Sequence, residues 1–526
     1  MTEDHAPRPT DHLVEPMYQA LRDEEPPREP ARFFGCLGVV LAAVCLAGWA
    51  LAGSASARDV LDPGTRADLL ENGALTDWGE RAPRGWRVWQ GAGGNVGPAS
   101  EVGPGADGRG LVLVGDETTG RWSLVSQRVP VRGDDCLLLE FEASLTDARR
   151  EPGQYDDAYV GVAWFAPGDR QLGTTLRSVF TSEPTADLMS LRAPAVAGEA
   201  ELRIFLSHTG RLAVGRVSLG RPPPERSFEL FSRQMARTYS YLELKGIDWP
   251  ALAERYRVRA EAAVGPDAFA DVLVELLSEL GDLHVTVQRP DGRVLPTHLD
   301  RRAPNIDVPS VLAALDAPRI FNRIGIVGPT AEGFGYVLVD SMPDEASFAP
   351  FLKAALDVLD APGLLLDLRT CSGGDDRRGF ALAAHFVDTP LHYADTVVRA
   401  GPAPGDFSPP RPRFLQPLAE PAYRGPIVCL VGPGCVSSGE GLVLAMKALD
   451  RALLVGAPSG GASGNPLPIA LPNGVTVRAS TWIQSLPDGS PFEGTGIAPD
   501  VAVVQEGPGD PTFERGLAEL RRLVDR

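Results

Sequence analysis

Lysine is almost missing from this 526-residue chain: of its 50 basic residues all but Lys245, Lys353 and Lys447 are arginines. Chemistry that needs a lysine base therefore has few places to find one. Positive charge is in deficit overall, since 69 acidic residues leave a net −19, and a surface of that sign repels phosphate backbones. Nucleic acid is excluded as a partner. The six cysteines, at positions 36, 45, 136, 371, 429 and 435, form no C-x-x-C pair and no even series. That argues against a zinc ribbon and a disulfide framework, and leaves room for one bridge. There is no H-E-x-x-H and no lysine after a glycine as a P-loop requires, so neither a metal nor a nucleotide cofactor is expected. What remains is a globular composition, 44% apolar and 23% charged, with 57 Gly and 48 Pro that imply long loops. The length suits several buried cores.

Residues 33–57, FFGCLGVVLAAVCLAGWALAGSASA, carry no charge. About 20 residues of helix span the hydrocarbon core of a bilayer, so this run predicts a transmembrane anchor, with residues 33–53 as its apolar part. Ala55-Ser56-Ala57 resembles a signal cleavage site, which makes a long signal peptide the competing reading. Residues 1–32, acidic and proline-rich, read as a disordered tail. Arg28 and Arg32 abut the apolar run and favour an internal N-terminus. In both readings the bulk of the chain is extracytoplasmic: membrane-anchored with an external catalytic domain, or secreted if cleaved after Ala57.

Between residues 70 and 220 short apolar or alternating runs, such as 111–116, 122–131, 136–145, 158–166 and 201–207, are broken by Gly, Pro and Asp, which predicts an antiparallel β-sandwich. Glu71-Asn72-Gly73, Trp86, the Gln127–Val131 run and Gly215–Leu219 resemble a carbohydrate-binding-module jelly roll. That resemblance implies a glycan partner, with Trp78, Trp86 and Trp89 able to stack on sugars; core filling is the commoner use of large aromatics. Arg221-Pro222-Pro223-Pro224-Glu225 reads as a stiff linker. Residues 227–290 show helical periodicity at first, residues 318–505 alternate strands and helices as an α/β core does, and 506–526 form a C-terminal helix.

Within that core, PIVCLVGPGCVSSGE (426–440) runs from a buried strand through a Gly-Pro-Gly turn into a helix led by Ser437. A serine there meets the exposed amides and positive end of a helix, which favour an alkoxide or oxyanion. The same Ser437-Ser438-Gly439-Glu440 is an S-x-x-E capping box, a purely structural device. Upstream, the apolar strand 364–369 stops at Thr370-Cys371-Ser372-Gly373-Gly374, and a glycine pair lets amides turn toward one point. Cys371 beside such a nest is a candidate lowered-pKa thiol.

The order of these segments, with GAPSGGASGNP (456–466) and FEGTGIAPD (492–500) downstream, resembles the S41 serine peptidases, the tail-specific or C-terminal-processing and tricorn-core group. The likeness covers roughly residues 227 to 505. It implies a crotonase/ClpP-type α/β core with a helical N-terminal part, acting on a polypeptide substrate. Residue by residue it makes Ser437 the nucleophile, and the amides of Ser438 and Gly373, the latter followed by Gly374, the oxyanion hole. Where the processing branch carries its lysine this chain has Ala462, so lysine catalysis is excluded there. Leu280-Gly281-Asp282-Leu283-His284 resembles the Asp-Gly-His element of the tricorn-like branch, which makes His284 the general base. By motif position Glu493 orients it, with Asp282 a rival two residues away. Thr370-Cys371, where the family usually has Gly-Asn, and Leu283, which replaces a glycine, depart from the pattern. His208, His298 and His392 fall in turns or strand ends without acidic or serine-rich company, and the proline-rich 402–426 stretch is either a cover beside Ser437 or a surface excursion. The alternative to a peptidase is a catalytically silent protein of the same fold that binds a peptide, a hydrophobic ligand or a cell-surface glycan.

Overall fold

The computed structural model describes residues 68–92, 100–105, 107–115, 121–148, 158–207, 209–299, 302–418 and 423–525. The acidic tail and the expected membrane segment at 33–57 lie outside them, and among the described residues no helix is long and apolar enough to cross a membrane.

The N-terminal part of the described chain, up to Gly220, is a sandwich of two five-stranded antiparallel sheets. Alternation builds it. In the strand Cys136–Thr146, Leu137, Leu139, Phe141, Ala143 and Leu145 enter the core between the sheets. Residues of the opposite parity face outward. Trp86 is buried in this core with Nε1 donating to the Glu71 carbonyl, and Trp78 packs against it, whereas Trp89 is half exposed. Two of the three tryptophans weighed for sugar stacking are thus used in packing.

The outer face of the second sheet is covered as well: Leu138 and Leu188 enclose Leu230 of the helix Ser227–Thr238. Burying a leucine of this kind contributes about 1.5–3 kcal/mol. Arg221, at the head of the proline run, is held by Asp135 at 2.8 Å, so this run is fastened to the sandwich.

Helices Ser227–Thr238, Trp249–Glu261 and Gly265–Ser278 follow. The second starts cleanly, since Pro250 stands in its first turn and Asp248 caps it by accepting from the Ala251 amide. Their apolar stripes, Phe228, Phe231 and Met235 on the first and Phe269, Leu273, Leu276 and Leu277 on the third, share a core with Val477 and Ala479 of a small antiparallel sheet.

The C-terminal core is a seven-stranded sheet in the order 319–321, 325–329, 335–339, 364–367, 427–431, 452–456, 501–502. It is parallel from the third strand onward. Ile427, Cys429 and Val431 face the helices Glu345–Asp357, Asp376–Ala383 and Ser438–Lys447, while Val428 and Leu430 face the C-terminal helix Pro511–Val524. Burial on both faces explains why these strands read as unbroken apolar runs. Arg369, fully buried at the strand end, binds Asp367 at 2.7 Å and Asp510, the cap of the C-terminal helix, at 2.6 Å. This pins the glycine turn that follows.

In the proline-rich stretch, Arg411–Leu415 is a strand paired with Leu391–Val398. His392 does have acidic company there: its Nε2 lies 3.0 Å from Asp395. Cys136, Cys371, Cys429 and Cys435 are free thiols; Cys36 and Cys45 lie outside the described residues.

Candidate active site

The strand Ile427–Val431 delivers the chain through Gly432-Pro433-Gly434 to Ser437, which precedes the helix Ser438–Lys447. Ser437 sits at φ 58° and ψ −131°, a region non-glycine residues seldom occupy, and its hydroxyl makes no capping bond. The capping-box expectation thus fails on its serine side. Glu440 turns inward instead, fully buried, and accepts from Ser459 Oγ at 2.6 Å and from the Gly461 and Ala462 amides at 2.7 and 2.8 Å. Burial pushes its carboxyl up to about 7, against those three donors.

The glycine turn packs directly on this elbow. Gly373 and Gly374 have φ of +86° and +128°, and a Cβ on Gly373 would stand 2.7 Å from Ser437 Cβ and 2.9 Å from the Ser438 nitrogen. Only glycine permits that approach. Val436 N–H donates to the Cys371 carbonyl at 2.9 Å, and Ser438 Oγ donates to the Gly374 carbonyl at 2.6 Å. Neither the Gly373 nor the Ser438 amide donates to another backbone group among the described residues. Cys371 is not the reactive thiol the nest suggested: it is fully buried, and loss of solvent pushes its thiol up to about 12.

Three consecutive residues gather the remaining candidates. The Ala462 carbonyl accepts the Ser437 amide at 2.7 Å, the Ser463 amide donates to Glu493 Oε2 at 3.1 Å, and a Cβ on Gly464 would lie 3.1 Å from His284 Nδ1. At about 3.3 Å per extended residue, Ser437, Glu493 and His284 are brought to one short stretch of backbone.

His284 is presented by a turn in which Asp282 Oδ1 accepts the His284 amide at 2.8 Å, while Oδ2 accepts Ser480 Oγ at 2.8 Å. Both Asp282 oxygens are engaged, neither by the imidazole. Nδ1 of His284 is buried without a hydrogen-bond partner, and burial draws the imidazole below its ordinary 6.5, with Arg478 adding to the effect and Asp282 opposing it. Among the described residues no hydrogen bond joins the Ser437 hydroxyl to this ring.

Glu493 is nearly inaccessible, its Oε1 3.5 Å from Lys245 Nζ. Burial, with Asp282 adding to it, pushes its carboxyl up to about 7, against Lys245 and the Ser463 amide. Behind it Tyr241 meets Ser463 Oγ at 3.0 Å and stacks edge-on with Tyr239. Motif reading had no hold on Lys245, Tyr241, Ser459 or Ser463; the rarity of lysine was the one available signal for Lys245. Among the described residues no group of three or more His, Cys, Asp or Glu is arranged to hold a metal ion.

Residues 333–503 match the model of peptidase family S41, and residues 224–278 match the tricorn protease C1 domain. Over 59 residues, 11% of this chain, the sequence is 44% identical to a protein proposed as tricorn protease homolog 2 of Streptomyces coelicolor, covering 5% of that protein. Over 143 residues, 27% of the chain, it is 28% identical to the carboxy-terminal-processing protease of Bartonella bacilliformis, covering 31% of it. The chain thus spans less than a third of the length of either relative. The crystal structure of a proposed peptidase from Parabacteroides merdae superposes with a TM-score of 0.51 at 23% identity, over 57% of this chain and 97% of that one, which shows a shared fold. The strained serine, the glycine turn and Glu493 all fall within residues 333–503, the segment that matches the model of peptidase family S41.

Proposed function

We propose that the protein is a serine peptidase that hydrolyses peptide bonds in a polypeptide substrate, with Ser437 as nucleophile, His284 as general base and Glu493 as the acid that steadies the imidazolium. The observation that carries this reading is Ser437 itself, held at a strained φ of 58° with an uncapped hydroxyl beside two amides that have no backbone acceptor among the described residues. Strain of this sort persists only where the surroundings enforce it. Ser437 would attack the carbonyl as neutral His284 takes its proton, while the Ser438 and Gly373 amides receive the oxyanion. His284 then returns the proton to the leaving amine, and water attacks the acyl-enzyme by the same route. A histidine kept neutral by burial suits that task.

Likeness to a carboxy-terminal-processing protease supports trimming of chain ends as the use of this chemistry. The apolar run at 33–57 supports an extracytoplasmic site tethered to, or released from, a membrane, and half-exposed Trp89 supports glycan contact by the sandwich. The rival, a silent binder of peptide, hydrophobic ligand or glycan, draws on the missing hydrogen bond between Ser437 and His284. A fluorophosphonate probe separates them. Labelling of the wild type and none of Ser437→Ala supports the peptidase; no labelling of either, with sugar or peptide retained, supports the binder.

A further inference from the structure

The helical region reaches the site through the turn at residues 239–246. Lys245, one of three lysines in the chain, extends from this turn with a mostly buried side chain. Its ammonium lies 3.5 Å from Glu493 Oε1, donates to the Gly281 carbonyl at 3.1 Å and stands 5.6 Å from the centre of the Tyr241 ring. Gly281 opens the short turn that presents His284, and Glu493 belongs to a different loop. One cation therefore joins the two segments whose relative placement decides whether acid and imidazole can cooperate.

The charges around Glu493 make that cation necessary. Asp282 and Glu440 face it from two other segments, and Tyr239 and Tyr241 supply neutral phenols. Among these groups only Lys245 is positive. A buried carboxyl among other carboxyls takes up a proton unless a cation opposes it, and once neutral it cannot stabilise an imidazolium. Tyr241 assists from the same turn by fixing Ser463 Oγ, while the Ser463 amide holds Oε2.

We propose that Lys245 is a positioning residue of this site: it favours the anionic form of Glu493 and ties its loop to the one carrying His284, so the helical region acts in the charge relay. This rests on the Ser437, His284 and Glu493 reading above.

The test is the rate of fluorophosphonate acylation of Ser437 between pH 5.5 and 9, in the full chain, for wild type, Lys245→Met, Lys245→Gln and Lys245→Arg, with thermal unfolding of each. For the Met and Gln variants the acid limb should move up by about one pH unit, and labelling at pH 7 should fall about five- to tenfold. Lys245→Arg should restore most of both. A limb that stays in place, with the rate unchanged or lowered equally at every pH, overturns the inference, as does failure of the arginine to rescue. Lys245→Gln answers the question should Lys245→Met not fold. A wild type that does not label defeats the peptidase reading, and the inference with it.

Discussion

The Ser437 amide donates to the Ala462 carbonyl at 2.7 Å, and the Ala462 amide donates to Glu440, one helical turn beyond Ser437, at 2.8 Å. The closed circuit locks the elbow of the nucleophile to the segment that also touches Glu493 and His284. A change in the Glu440 carboxylate is therefore felt at Ser437 through the Ala462 backbone.

Glu440→Ala should leave the Ser459 hydroxyl and two buried amides without an acceptor. A loss of about 3 kcal/mol in unfolding free energy is expected from urea titration, with slower probe labelling of the folded fraction. Wild-type stability in this variant would show that the segment hangs from something else.

Relief of backbone strain should oppose function at position 437. Ser437→Gly should raise stability by about 1 kcal/mol while abolishing labelling, because glycine is at ease at φ 58°. Ser437→Ala should abolish labelling too, with stability within about 0.5 kcal/mol of wild type. Equal melting of the glycine and alanine variants would mean the elbow stores no strain.

Gly373→Ala should fall about 100-fold in acylation rate while retaining its circular dichroism. Its methyl carbon would sit 2.7 Å from Ser437 Cβ, so the glycine turn must back away and take its amide with it. A rate within twofold of wild type would remove Gly373 from the oxyanion hole.

Stability should depend on pH through Glu440. The folded protein holds this carboxyl near pKa 7 while the unfolded chain releases the proton near 4.5, so the folded state binds more protons between those values. Its contribution to stability therefore declines as pH rises through that window, by up to about 1.4 kcal/mol per pH unit. His284 has the opposite sign, since its imidazole stays neutral below 6.5 where the unfolded chain protonates. Subtracting the profile of Glu440→Gln isolates the carboxylate; a flat difference would refute the assignment.

Native Cys371, Cys429 and Cys435 should resist thiol reagents at pH 8 and react only after denaturation, because all three are fully buried and desolvation raises each thiol. Rapid modification of Cys371, with loss of labelling at Ser437, would restore it as a functional thiol.

Local pattern determined a good deal by itself. Apolar runs of period two or of unbroken hydrophobicity located the strands at 111–115, 136–146, 364–367 and 427–431, because a strand's burial is written in its own residues. The glycine pair at 373–374 was legible because positive φ demands glycine locally, and the Gly-Pro-Gly turn because a side chain on Gly432 or Gly434 would run into Asn305 or the Arg369 carbonyl.

Only the tertiary structure decided what each polar group answers to. The S-x-x-E tetrapeptide fits a capping box and an inward-turned glutamate equally, and the three buried donors of the 459–462 segment selected the second. Motif position favoured Glu493 over Asp282 as the partner of His284; folding engaged both oxygens of Asp282 with Ser480 and the His284 amide and set Glu493 against Lys245. Such partners lie far apart along the chain, and a polar side chain, unlike an apolar one, takes its energy from a single directed contact that no periodicity records.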